Sequence, residues 1–193
     1  MTDPKRYIAR LIDNARDAQS KIEFAAQEAV DDLCARIARA GTTETFATRI
    51  AELAVKETGM GRVDSKYAKM MAKVKGAYRD MKGKPTVGVI ERDTDRGIIK
   101  IAKPIGVIGA LIPVTNCEAT PFCKALSAIK TRNAIIMAPH PRAKHTGKLA
   151  ADRIRTVLAR RGYPENLVQV IEEVSVEASQ ELMAQCDLVL ATG

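Results

Sequence analysis

The chain contains no tryptophan, and its aromatic residues amount to 4% of 193 positions. So few rings leave little for single-stranded bases to stack on, and no recognised nucleic-acid motif makes up for them. The four cysteines, Cys34, Cys117, Cys123 and Cys186, are too sparse for a disulfide scaffold and lack metal-ligand spacing. A reducing, cytoplasmic setting is expected. His140 and His145 have no third ligand nearby, so no metal site is expected either. The longest apolar run, Pro104 to Val114, falls well short of the roughly 20 residues that cross a bilayer, and the N-terminus lacks an apolar signal core. Neither secretion nor a membrane span is implied. Also missing is any Gly-x-Gly-x-x-Gly phosphate fingerprint. Gly106-Val-Ile-Gly109 falls inside a predicted strand, where glycine allows close packing. There is no internal repeat and no low-complexity segment.

What is present describes one or two folded domains. Apolar residues make up 46% of the chain, enough for a real core. The net charge of +8 is unevenly spread: residues 60–84 carry eight Lys/Arg against two acids and residues 130–161 nine against one, whereas 163–193 carry six acids and no base. Such basic segments attract nucleic acid, attract a phosphate-rich small molecule, or form solvated helix faces.

Asp3-Pro4 reads as an N-cap with proline at the first helical position, and the apolar spacing Ile8, Leu11, Ala15, Ala18, Ile22, Ala25, Ala29 predicts one long helix ending before Gly41. Thr43 is placed to cap a second helix stopped by Gly59 and Gly61, and Asp64 to cap a third, which makes residues 1–84 mostly helical. From Pro85 the period changes to two: Thr86–Glu91 and Ile98–Lys103 alternate around the turn-rich Asp93–Gly97, predicting a β-hairpin over 85–103. From 104 to 193, apolar runs at Ile105–Ile112, Asn133–Ala138, Leu167–Ile171 and Leu188–Leu190 alternate with helical segments. This order specifies an α/β fold, a Rossmann-like doubly wound parallel sheet with N-terminal helices and a projecting hairpin.

The strand ends hold the informative residues. The segments Lys103-Pro-Ile-Gly-Val-Ile-Gly-Ala-Leu-Ile-Pro-Val-Thr-Asn116, Lys130-Thr-Arg-Asn-Ala-Ile-Ile-Met-Ala-Pro-His-Pro-Arg-Ala-Lys144, Pro164-Glu-Asn-Leu-Val168 and Leu188-Val-Leu-Ala-Thr-Gly193 resemble, in that order, the aldehyde dehydrogenase superfamily. Arg96-Gly-Ile-Ile-Lys100 and Pro139-His-Pro-Arg-Ala-Lys144 make the sequence similar to its CoA-acylating branch. The resemblance runs from about Thr58 to the last residue.

That resemblance implies a set of roles. Asn116 alone reads as a turn or helix-capping residue; in the family the matching amide stabilises the oxyanion formed when a cysteine thiolate attacks an aldehyde. Ile112, Pro113, Val114 and Thr115 match the strand end that runs along the nicotinamide cofactor, although hydrolytic members usually read Pro-Trp-Asn there. Ala138, Pro139, His140 and Pro141 match the adenosine side. Hydrolytic members carry a lysine at Ala138 and often an acid at Pro141, so their usual ribose contacts are missing and both NAD and NADP stay open. Thr192 and Gly193 match the start of the phosphate-binding turn.

The family's nucleophilic cysteine lies in a second domain, and none of the four cysteines here falls at its position. Cys117 reads instead as a small buried thiol at a helix start. The resemblance therefore implies the N-terminal, NAD(P)-binding portion of an enzyme that oxidises a small aldehyde and passes the acyl group to coenzyme A. The chain alone is expected to be inactive and to form a homodimer or larger assembly through the hairpin. The basic segments would then attract the phosphates of the dinucleotide and of coenzyme A. Rival readings are an acyl-phosphate reductase of the same superfamily, which Pro-His-Pro-Arg disfavours, and a basic non-enzymatic binding module.

Overall fold

The computed structural model describes residues 3–192. Helix α1 (Pro4–Ser20) starts as its sequence dictates, with the Asp3 carboxylate accepting from the Lys5 amide at 3.2 Å and proline in the first turn. The predicted single helix is, however, two: α1 stops at Ser20 and α2 (Gln27–Gly41) begins six residues after Lys21. Helix α1 lies on one layer of the molecule with α7 (Val176–Gln185), and α2 on the other with α5 (Thr120–Lys130) and α6 (Lys144–Arg160). One straight rod cannot serve both faces of a sheet, so the apolar spacing continues through a break. Within it Ile22 is fully buried, while Phe24 is 88% exposed.

Helix α3 (Glu44–Thr58) ends at Gly59, whose φ of 67° is the left-handed stop that glycine adopts freely. Thr43 precedes it without a side-chain capping bond. Helix α4 (Val63–Met81) is preceded by Arg62, and Asp64 lies inside its first turn rather than at the cap, pairing with Arg62 and accepting the Ser65 amide.

Strands β1 (Gly88–Asp93) and β2 (Ile98–Ala102) form a separate antiparallel ribbon with an irregularity between Val89 and Glu91. Ile98, Ile99 and Ile101 on it are 47–57% exposed. The main sheet is parallel, in the order β5 (Val168–Val170), β4 (Ala134–Pro139), β3 (Val107–Ile112), β6 (Leu188–Leu190). In chain order its strands run third, second, first, fourth, and the direction of winding reverses between β3 and β6. Every residue of β4 is buried, as expected of a strand covered on both faces.

The corner Lys130–Asn133 knits these parts together at the start of the strands. Arg132 has a φ of 60°, rare for a residue other than glycine. Its buried guanidinium donates to the Glu23 carbonyl in the α1–α2 break at 2.5 Å and to the Ala102 carbonyl at the end of β2 at 2.9 Å. The Asn133 side-chain oxygen accepts the amides of Ile105 and Gly106 at 2.7 and 2.9 Å, which aims the chain into β3. The Thr86 hydroxyl donates to the Lys130 carbonyl, and the Lys130 ammonium meets Asp31.

Two glycines of the β3 region owe their identity to close approach. Gly106 stands just before β3, not within it, with φ of 130°, and a Cβ there would lie 2.3 Å from the Asp187 carboxylate. That carboxylate holds Arg16 through two 2.9 Å bonds and accepts the Val107 amide at 2.7 Å, which fastens α1 and the start of β6 to β3. Gly109 is inside the strand, where a Cβ would sit 2.8 Å from the Cys186 sulfur and 3.0 Å from Leu182, so close packing is its role.

The N-terminus of α6 is tied down from α3. Glu57 accepts the amides of His145 and Thr146 at 2.8 Å, the Thr146 hydroxyl at 2.8 Å, and faces the His145 ring nitrogen at 3.0 Å. Burial works against its ionisation, but these donors outweigh that and hold its pKa below the usual 4.5.

Two outcomes follow from this packing. G106A should destabilise the chain by about 2–4 kcal/mol in urea unfolding, because strain and overlap add; a loss below ~0.5 kcal/mol would show that the corner is slack. E57Q should cost about 1–2 kcal/mol at pH 7. A depressed carboxyl pKa gives stabilisation that is complete above the unfolded value and lost as pH falls through the native one. The E57Q gap should therefore close as pH falls below about 4.5 and through the lowered native value, and a gap independent of pH would contradict the assignment.

Candidate functional site

Ligands of a doubly wound sheet gather outside the carboxyl ends of its strands where the winding reverses. Here that place is between β3 and β6. Ile112 pairs with Pro139 and Ala110 with Leu190, so the segments leaving β3, β4 and β6 emerge along one edge. The sequence-predicted groups Ile112–Thr115, Ala138–Pro141 and Thr192 thus converge on that edge, while Gly193 lies outside the described residues. Lys124, which the sequence did not single out, reaches from α5 to donate to the carbonyls of Leu111 at 2.8 Å and Leu190 at 2.6 Å. It closes the ladder where β3 and β6 part, and burial lowers its pKa.

Beyond β3, Pro113 ends the strand and residues 114–119 form a turn into α5. The Asn116 carbonyl accepts the Thr120 amide at 3.1 Å, but α5 has no side-chain cap. The Asn116 side-chain amide, half-buried, has no hydrogen-bond partner among the described residues. It is therefore not a capping group, and its N–H donors are free at the sheet edge.

Beneath the turn lies a pair that sequence reasoning also missed. Lys66 of α4 and Glu118 are both buried, 3.0 Å apart, and the Lys66 ammonium also donates to the Thr115 carbonyl at 2.8 Å. The only sequence signal was their presence in a basic helix and a turn, which reads as solvated surface.

Cys117 is fully buried, and burial together with the Glu118 carboxylate pushes its thiol up to about 11. Burial raises Cys34 to about 12 and shifts Cys123 and Cys186 upward as well. None is an ionised nucleophile at neutral pH.

At the end of β4, Gly147 lets α6 approach Pro139 closely; a Cβ there would fall 2.9 Å from the proline ring. The His140 Nδ1 accepts the Arg142 amide at 3.1 Å, and the Arg142 guanidinium donates to the Thr58 carbonyl. The amides at the start of α6, which would suit an anion, already hold Glu57.

Part of the second basic segment lies away from this edge. Arg153, Arg160 and Arg161 join Arg36 and Arg39 around Asp32 in a groove of about 500 Å³ towards the far end of α6, a helix about 25 Å long at 1.5 Å per residue. Among the described residues, no helix is long and apolar enough to cross a membrane, and no three His, Cys, Asp or Glu side chains are placed to share a metal ion.

The sequence model of the aldehyde dehydrogenase family matches residues 3–193. Over 186 residues the chain is 45% identical to sulfoacetaldehyde dehydrogenase of Acholeplasma sp, covering 96% of this chain and 38% of that protein. It is 41% identical to succinate-semialdehyde dehydrogenase (acetylating) of Clostridium kluyveri, covering 96% and 41%. The chain spans about two fifths of the length of these curated relatives. Among solved structures, an acetylating aldehyde dehydrogenase from Geobacillus thermoglucosidasius superposes over all of this chain and 44% of its own, with a TM-score of 0.94 at 33% identity. Two others, each 26% identical over 96% of this chain, carry ligands: Rhodopseudomonas palustris propionaldehyde dehydrogenase with bound propionyl-CoA (TM-score 0.84, 41% of that chain) and an engineered glycolyl-CoA reductase with bound NADP+ (TM-score 0.83, 42%). Strand order, strand-end motifs and these likenesses agree: the chain belongs to the aldehyde dehydrogenase family.

Proposed function

We propose that this chain is the NAD(P)-binding portion of a CoA-acylating aldehyde dehydrogenase, which converts a small aldehyde, coenzyme A and NAD(P)+ into acyl-CoA and NAD(P)H. The observation that carries the reading is the unpartnered Asn116 amide beside the β3–β6 reversal. A fixed neutral donor strengthens its hydrogen bond as negative charge develops on a carbonyl oxygen, which is the electrostatic help a thiol addition needs. The acetylating or acylating names of the relatives, and the propionyl-CoA and NADP+ held by two of the structural neighbours, support this class.

Ile112–Thr115 would flank the nicotinamide side of the dinucleotide, Ala138–Pro141 its adenosine, and Thr192 with Gly193 its pyrophosphate. When bound, the dinucleotide supplies the hydride acceptor. Asn116 polarises the carbonyl and Lys124 holds the mouth of the crevice in register; the attacking thiolate is assigned, as the family resemblance implies, to a cysteine of a second domain, and the raised thiols here make poor substitutes for it. The exposed isoleucines of the hairpin support its role as an arm that pairs with another copy of the protein, giving a homodimer or larger assembly. A cytoplasmic setting fits chemistry that depends on a free thiol.

In the enzyme containing this chain, N116A should lower kcat by about 10² to 10³; an unchanged kcat in a folded variant would make Asn116 structural. The isolated chain should bind NAD(P) weakly, and a polypeptide extended through the segment after Gly193 at least about tenfold better, a gap of roughly 1.4 kcal/mol. Calorimetric titration of both checks it, and equal affinities would remove Thr192 and Gly193 from the cofactor site.

A further inference from the structure

We infer that Lys66 and Glu118 are positioning residues that set where the Asn116 amide stands; this rests on the oxyanion reading of Asn116 proposed above. Among the described residues nothing holds the Asn116 side chain directly, so its placement depends on the turn that carries it. Within that turn one main-chain bond, from the Thr120 amide to the Asn116 carbonyl, is joined by a single buried ammonium. Lys66, anchored in α4, grips the carbonyl of the residue before Asn116 and the carboxylate of the residue two after it, at 2.8 and 3.0 Å. The grip spans the asparagine.

The energetics favour a geometric role over a stabilising one. A buried ion pair commonly adds no stability over apolar side chains of similar volume, because desolvating two charges offsets their attraction. This pair is poorer than most. Glu118 is completely buried, yet its Oε1 has no hydrogen-bond partner among the described residues, and its Oε2 is shared by Lys66 and, at 3.8 Å, by the Cys117 thiol. A methionine and a leucine would fill the space without an unsatisfied oxygen. What they would not provide is a fixed link from α4 to both sides of Asn116, through the Thr115 carbonyl on one and the Glu118 carboxylate on the other. Oxyanion donors act over a narrow range of distance, and a displacement of about 1 Å can cost about 10²-fold in rate. Neither Lys66 nor Glu118 is exposed, so both act through the turn and not on a substrate.

A double-mutant cycle in the enzyme containing this chain tests the assignment. K66M should lower kcat at least about tenfold with the aldehyde KM little changed, whereas K66M added to N116A should slow the enzyme by no more than about twofold further. An equal loss in both backgrounds, or no loss in either, would overturn it. E118Q, which keeps an acceptor for Lys66, should recover most of what E118A loses, and this arm decides the matter if K66M fails to fold. A second readout needs no activity: in the isolated chain, K66M should shift or broaden the side-chain NH2 resonances of Asn116. Sharp, unmoved resonances would sink the positioning role, whereas a normal kcat in N116A would sink the oxyanion reading on its own.

Discussion

The fold depends on one backward-reaching corner. Arg132, held at positive φ, extends its guanidinium to the α1–α2 break and to the end of the hairpin, and Asn133 beside it receives the two amides that open β3. Through these bonds the first helix, the ribbon and the central strand share one origin at the foot of the sheet. Because β3 is central, any error in its start would propagate to β4 on one side and β6 on the other. The carboxyl-end crevice is set by what is fixed at the opposite end.

Much of this architecture was legible in the sequence. Continuous apolar runs located β3, β4 and β5 within a residue or two, and the switch to alternation at Pro85 marked the hairpin. The spacing failed where tertiary structure reuses it: the same three- and four-residue rhythm runs through both α1 and α2 although they cover opposite faces, and nothing local tells a break from a continuous rod. Lys130-Thr-Arg-Asn133 registered as part of a family motif, without its role as the corner. Glu57, Lys66 and Glu118 were invisible for a different reason. Each is a charged residue in a polar stretch, with a partner 49 to 89 positions away, and their burial comes only from the assembled fold.

At the ligand edge the ends of β4 and β6 differ. The start of α6 is satisfied internally by a glutamate, so its amides are no longer open to an outside anion. Among the described residues the edge beside β6 has no such built-in carboxylate, and Lys124 there spends its donors on strand carbonyls. An attractive helix end is thus occupied in advance by a residue of the chain itself.

The elevated thiol pKa values carry a consequence for any protein that meets an electrophile such as an aldehyde. Aldehydes add reversibly to thiolates wherever these are available, and each stray adduct would sequester substrate and block surface. With Cys34 and Cys117 held at about 12 and 11 and the other two also raised, these thiols present no thiolate to such a compound at neutral pH. Fidelity here is a matter of background: four thiols kept in the protonated form offer a carbonyl no competing nucleophile.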